Sequence, residues 1–276
     1  MKVYLACLIT LVCIATSFAS PCPKDEFKNK ISSIGFKDTS SVAQAAEELI
    51  KHAKNQEDKC REELLFIFRQ YYLNCLKEYN SRIDSLGINE TNENKVNKSL
   101  FTIGWCVKST EGSYYIGESP GWFGTKFKKV LTDPYKEYLH FRSREIREGF
   151  SEDAILLISW DQLRHRIITC ESFLNKYPNF AEKQSIQEYL DIYIRVFLTG
   201  MDNSRIDDRE NMTLHNDVRA AYEKFIRENK ASKYHKVVKD YYEMIKENNF
   251  IVPKNAYEYL KNQGYKSYLA TQPPTY

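Results

Sequence analysis

The chain has 276 residues, with 40 basic and 37 acidic side chains and a formal net charge of +3 at pH 7. A chain so close to neutral lacks the strong positive field that nucleic-acid binding requires. Aromatic residues make up 14% of the chain, with only 10 glycines and 8 prolines, which favours a helix-rich protein with tyrosines half buried between helices.

The first 19 residues have the pattern of a signal peptide. A positive charge at Lys2 precedes an apolar run over residues 4–18, and Ser17 and Ala19 form the small-x-small pattern that precedes a cleavage site. The run is shorter than the roughly 20 apolar residues that a membrane-spanning helix needs. We therefore expect a secreted protein without a membrane span, extracellular or, in a bacterium, periplasmic.

Five cysteines follow the signal segment: Cys22, Cys60, Cys75, Cys106 and Cys170. Export to an oxidising compartment would allow disulfides, and the odd count leaves one thiol over. One continuous helix holding Cys60 and Cys75 would keep them about 22 Å apart, which excludes that pair. The other pairings stay open, as does the alternative of five small buried apolar groups. No C-x-x-C pair, Cys/His cluster or H-E-x-x-H pattern occurs, so we expect no metal site and no cofactor.

Residues 20–99 are predicted to be an N-terminal helical region that ends in a polar loop. We expect an irregular lead-in over residues 20–40, followed by a helix that starts at a capping box of Ser41 and Gln44. A second amphipathic helix is predicted over residues 59–86, with Gly87 at its end. The asparagine-rich segment 87–99 predicts an exposed loop.

Three N-x-S/T sequences are candidate N-glycosylation sites if the source is a eukaryote. They begin at Asn89, Asn97 and Asn211.

Residues 100–124 are predicted to insert a β-hairpin between the helical regions. The segments "LFTIGWCV" and "SYYIGES" have β-type composition, and "KSTEG" between them has hairpin length and a glycine. Loops on a rigid scaffold often carry recognition, so the aromatic residues here are candidate binding residues: Trp105, Tyr114, Tyr115, Trp122 and Phe123. The alternative is that the tryptophans pack the hairpin onto the helices.

The segment "GESPG", residues 117–121, matches the G-x-S-x-G pattern that surrounds the nucleophile of α/β-hydrolases. In that elbow the residue after the serine donates its backbone N–H to the oxyanion, but Pro120 has no N–H to donate. We therefore predict that Ser119 lies in a turn and that the chain has no catalytic serine.

Residues 125–276 are predicted to form a helical-repeat region. Helices return at Pro134, "SEDAILLIS" continues them with Ser151 as a cap, and Ser159 and Gln162 form a capping box stapled by Ile158 and Leu163. Residues 170–194 align with residues 222–246 at an offset of 52, each as helix, break, helix, and a closing helix is expected over residues 257–265.

The segment "ESFLNKYPNF" resembles the helix ends of tetratricopeptide-like repeats in bacterial envelope proteins. Residues 159–264 also resemble the C-terminal part of uncharacterised exported bacterial proteins. The resemblance implies stacked helical hairpins and no particular activity.

Together these patterns predict a mainly α fold of stacked antiparallel helix pairs with one small β-hairpin. Without a recognisable catalytic set, the function that we expect is that of a secreted, non-enzymatic binding protein, such as an exported effector. Its partner would be another protein or a cell-surface component. The alternative is a secreted hydrolase with a carboxylate-based site near the hairpin, drawn from Glu145, Glu148, Glu152, Asp153 and Asp161.

Overall fold

Helices make up 63% of the chain in the computed structural model, which describes residues 21–110, 112–119 and 121–265. The fold is mainly α with a small antiparallel β-hairpin, which confirms the predicted class. The predicted signal peptide lies outside the described residues, as does Pro120 of the predicted turn. Among the described residues, no helix combines the length and apolarity needed to cross a membrane.

Three helices pack together at the N-terminal end: α1 (Lys24–Ile34), α2 (Thr39–Ala53) and α3 (Asp58–Asn80). The predicted irregular lead-in is wrong, because Phe27, Ile31 and Ile34 form an apolar stripe that is buried against the neighbouring helices. The predicted capping box is also wrong, since α2 begins earlier and the carboxylate of Asp38 caps it by accepting from Ser40 N over 2.8 Å.

The long helix α3 ends at Asn80, before the predicted end, and one turn of 3-10 helix (Ile83–Leu86) follows with Gly87 in the left-handed conformation. The predicted loop 87–99 is wrong over most of its length, because α4 (Glu93–Phe101) occupies it. This helix packs on the hairpin and buries Leu100 completely, which offsets the low helix propensity of its asparagines.

The hairpin consists of β1 (Trp105–Thr110) and β2 (Ser113–Glu118), in a register that pairs Trp105 with Glu118. Side chains from two helices occupy the outer edges of both strands. Asn97 Oδ1 accepts from Val107 N over 2.6 Å, and Asn80 both accepts from Ile116 N over 2.7 Å and donates to Ile116 O over 2.8 Å. Because these edge groups are satisfied, the middle of the hairpin is closed to further strand pairing.

A short helix, α5 (Trp122–Lys126), holds the chain that leaves the hairpin against α3. The ring of Trp122 stacks on Tyr72 with ring centroids 5.8 Å apart. The indole also lies against Gly104, whose φ of +80° suits glycine and where an added Cβ would lie 2.4 Å from the ring.

Helix α6 (Asp133–Glu148) leads to a second, minimal hairpin of β3 (Ser151–Glu152) and β4 (Ile155–Leu156). The predicted helix over "SEDAILLIS" is therefore wrong. Asp153 and Ala154 have φ of 46° and 55°, the left-handed pair of a tight hairpin turn, which a right-handed helix cannot contain.

The C-terminal region consists of the helices α7 (Trp160–Lys176), α8 (Lys183–Thr199), α9 (Asn216–Glu228), α10 (His235–Glu247) and α11 (Lys254–Asn262). Their connections are short except between α8 and α9, where residues 200–215 form a longer segment. Helix α7 packs on α8 and α9 packs on α10, so both copies of the internal repeat are helix pairs, as predicted. The capping box of α7 is also confirmed, with bonds of 2.9 and 3.1 Å between Ser159 and Gln162.

Candidate functional site

A cleft of about 350 Å³ opens between the end of β2, α5 and α6. Its apolar walls come from Phe123, Leu131, Leu139 and Ile146. Its other side chains are mostly cationic or neutral and polar: Arg69, Lys128, Lys136, Arg142, Ser119, His140 and Ser143, with the single carboxylate of Glu118. We call this site the basic cleft, since four permanent cations face one acid.

The sequence of α6 explains how one helix supplies a whole wall of the basic cleft. Positions 136, 139, 140, 143 and 146 recur at spacings of three and four, so they share one face of the helix. This face extends from Lys136, near the start of the helix, to Ile146, near its end. Opposite it, Gly121 and Gly124 contribute no side chains, which keeps the cleft open.

The floor of the basic cleft is a buried carboxylate held between two arginines. Glu118, the last residue of β2, accepts from Arg69 Nη1 and from Arg142 Nη2, each over 2.8 Å. Only 3% of the Arg69 side chain and 11% of the Glu118 side chain is exposed. Burial alone would raise the pKa of Glu118, but the charges and hydrogen bonds of the two arginines outweigh it and lower the pKa to about 2.

The far side of the same arginines is also occupied. Arg69 Nε donates to Glu182 over 3.2 Å, and Glu182 also accepts from the hydroxyls of Tyr135 and Tyr138 over 3.2 and 2.9 Å. Arg142 donates to the hydroxyl of Tyr189. The two arginines and two glutamates therefore carry no net charge as a group.

The rim of the basic cleft carries the positive charge that the floor does not. Lys136 is exposed and pairs with Asp133 over 2.8 Å, which is a weak surface contact. Lys128 is exposed and makes no ion pair in the part of the chain that the structure describes. His140 is exposed beside them on α6.

The predicted binding residues do not share one surface. Phe123 lines the basic cleft, and Trp122 beside it packs on α3. Trp105 is fully buried among Phe36, Tyr72 and Tyr79. Tyr114 and Tyr115, the latter 37% exposed, lie toward the turn of the hairpin, opposite Ser109 and Lys108. Trp105 thus has the packing role that we weighed as the alternative.

Ser119 and His140 both line the basic cleft, a meeting that the sequence analysis missed. The backbone N–H of Ser119 donates to Gly104 O over 2.7 Å. Within the described residues, no hydrogen bond joins the Ser119 hydroxyl to the His140 ring. In serine enzymes the nucleophile is activated by a hydrogen bond of this kind to its base.

The carboxylates considered for a hydrolase lie outside the lining of the basic cleft. Glu145 is buried, where its carboxylate accepts from Arg166 and Tyr193. Burial raises the pKa of Glu145, and this effect outweighs the positive charge of Arg166, which lowers it. Glu148 also binds Arg166, over 3.1 Å, so the two acids share one cation.

The other three carboxylates are equally dispersed. Asp161, at the start of α7, pairs with Arg164 over 2.7 Å and Lys224 over 3.0 Å. Glu152 and Asp153 belong to the second hairpin and its turn.

The candidate glycosylation sites differ in their surroundings. Asn89 and Asn211 are exposed, whereas Asn97 is half buried and its amide oxygen is bonded to the hairpin edge. Glycosylation at all three stays a prediction.

One disulfide joins Cys22 to Cys60 and ties the start of α1 to α3. Cys75, Cys106 and Cys170 are thiols, so three remain rather than the one expected. Burial raises the pKa of all three, that of Cys75 to about 11, which disfavours the reactive thiolate. In the described ranges, no group of three His, Cys, Asp or Glu side chains is placed to hold a metal ion.

No protein-family model, curated protein or solved structure matches this chain.

Proposed function

We propose that the chain is a secreted, non-enzymatic binding protein and that the basic cleft is its binding site. The observation that carries the proposal is a concave apolar cavity with a positive rim and a floor whose charges are already paired. Its volume of about 350 Å³ falls within the range of about 300–1,000 Å³ for small-ligand sites. Such a site can hold a ligand, and among the residues that the structure describes no hydrogen bond joins the Ser119 hydroxyl to the His140 ring.

Two features support export. The first 19 residues have the pattern of a signal peptide. The disulfide between Cys22 and Cys60 fits an oxidising compartment, where such bonds persist.

Site-specific photo-crosslinking tests the location of the site. A photoreactive amino acid replaces His140, which lines the basic cleft, or His165, which is 62% exposed on α7 outside the cleft. In fluid from the exported compartment we expect adducts at position 140 that an excess of unlabelled protein suppresses, and none at position 165. Equal labelling at both positions would contradict the proposed site, as would the lack of any adduct at position 140 together with the lack of a small ligand for the cleft.

A serine hydrolase is the second candidate, because Ser119 and His140 line one cavity. A fluorophosphonate probe tests it directly, with Ser119→Ala and His140→Ala as controls. We expect no labelling of the wild-type protein. Labelling that both substitutions abolish, together with turnover of simple esters, would replace the binding proposal with an enzymatic one.

A further inference from the structure

The lining of the basic cleft combines cationic side chains with apolar ones. Lys136 and Ile146 mark the two ends of the α6 face, and ten residues of helix span about 15 Å. Lys128, on the connection from α5 to α6, adds a second ammonium to the lining. A ligand that satisfies both ends has a negative group joined to an apolar body.

The cations of the lining that no buried carboxylate offsets are the ammonium groups of Lys128 and Lys136, although Lys136 makes an exposed pair with Asp133 over 2.8 Å. Arginine forks suit bidentate binding of phosphate, but the charges of Arg69 and Arg142 are already offset by the buried carboxylates of Glu118 and Glu182. Lys128 and Lys136 act as point charges, which suits a single carboxylate.

The size of the cavity limits the apolar body. A cavity of about 350 Å³ lies at the small end of the range of about 300–1,000 Å³ for small-ligand sites, so the apolar body is short. A stable interface with a partner protein would instead bury roughly 800 Å² of the surface of this chain, well beyond the cleft itself. Such a partner could not add a strand at the middle of the hairpin, because Asn80 and Asn97 occupy both edges there.

We infer, on the basis of the proposed binding function, that the ligand of the basic cleft is a small single-chain amphiphile with a carboxylate head. The head lies between Lys128 and Lys136, and the chain lies along Leu139 and Ile146. An acidic segment of a partner protein is the competing occupant.

Isothermal titration calorimetry with decanoate, decanol and acetate tests this assignment, at concentrations below micelle formation. We expect decanoate to bind at least about tenfold more tightly than decanol, which corresponds to roughly 1.4 kcal/mol for the head group. Acetate lacks the apolar body, and we expect no measurable binding.

Variants of the full chain separate the two ends of the ligand. The double substitution Lys128→Gln and Lys136→Gln is expected to weaken decanoate about tenfold and to leave decanol unchanged. Ile146→Gln is expected to weaken both by a similar factor, about fivefold. Lys129→Gln, adjacent to Lys128 but outside the lining, and Ile155→Gln, 46% exposed on the second hairpin, are the matched controls and should change neither.

The outcomes distinguish the ligand class from the binding function. Equal affinity for decanoate and decanol, lost in Ile146→Gln, would overturn the carboxylate assignment and keep the cleft as a binding site. Protein adducts at position 140 without amphiphile binding would also overturn the carboxylate assignment. The cleft would remain a binding site, with a protein as its partner. Decanoate binding that no cleft substitution weakens would overturn the assignment. If neither amphiphile binds and no adduct forms, both proposals are wrong.

Discussion

Glu118 Oε1 accepts a hydrogen bond from Arg69 Nη1 over 2.8 Å, although 49 residues separate the two in the sequence. The contact joins β2 to α3 beneath the basic cleft, and Arg142 on α6 binds the other carboxylate oxygen. Three elements thus meet at a single buried charge. Removal of the Glu118 charge would leave Arg69 and Arg142 without this partner, so we expect the free energy of unfolding to fall.

We expect Glu118→Gln to lower the free energy of unfolding by about 3–5 kcal/mol, because removal of one member of a buried ion pair leaves an uncompensated charge. Glu78→Gln is the matched control, since Glu78 forms an exposed pair with Arg82 on the surface. Exposed pairs contribute roughly 0–1 kcal/mol. Urea denaturation of both variants measures the difference, and equal losses would show that the buried cluster does not stabilise the fold.

The same carboxylate predicts how stability depends on pH. Because the pKa of Glu118 is lowered from 4.5 to about 2 in the folded state, its stabilisation is present above pH 4.5. It is lost as the pH falls from there through about 2. The shift corresponds to about 3 kcal/mol, so wild type should lose about that much more than Glu118→Gln between pH 5 and pH 2. Parallel pH profiles of the two proteins would refute this role.

The asparagine at the end of α3 should stabilise the hairpin edge. Asn80→Ala leaves both the N–H and the C=O of Ile116 without their partner, and a buried unsatisfied group costs about 1–3 kcal/mol. Asn74→Ala, an exposed position on the same helix, should change stability by less than about 0.5 kcal/mol. Hydrogen exchange should show faster exchange of the Ile116 amide in Asn80→Ala alone; unchanged exchange there would contradict the bond.

Alanine substitutions at two glycines distinguish the free-energy cost of backbone strain from the cost of disrupted packing. Gly104 and Gly112 have φ of +80° and +76°, but an added Cβ at Gly104 would meet the ring of Trp122, whereas at Gly112 nothing lies within 4 Å. Alanine at either position costs about 1–2 kcal/mol for the left-handed backbone. Gly104→Ala should cost about 1–3 kcal/mol more, because the displaced indole disrupts its packing. Thermal unfolding measures both, and equal losses would mean that the indole moves without cost.

The disulfide closes a segment of 38 residues, for which the chain-entropy model gives about 4 kcal/mol of stabilisation. Replacing Cys22 and Cys60 with serine should lower the free energy of unfolding by up to that amount. Reductant should destabilise the wild type and leave the double variant unchanged. A wild type that is insensitive to reductant under unfolding conditions would show that the bond does not stabilise the chain.

Errors in the sequence analysis arose where tertiary contacts overrode local propensity. The segment of α4 has the composition of a loop, yet it is helical because Leu100 is buried when the helix packs on the hairpin. The segment after α6 has an apolar run suited to a helix, yet Asp153 and Ala154 adopt left-handed conformations in a hairpin turn.

The sequence by itself determined the mainly α class, the hairpin near residue 105, the paired helices of the internal repeat and the start of α7. The capping box of Ser159 and Gln162, like a 3–4 spacing of apolar residues, involves neighbours in the chain, and a sequence displays such neighbours directly. Only the tertiary structure decided that Glu118 meets Arg69 and Arg142, and that Lys128 and Ile146 line one cavity. Each such meeting depends on the packing of several helices at once, and the separation of two residues along a chain carries no record of how those helices are oriented in space.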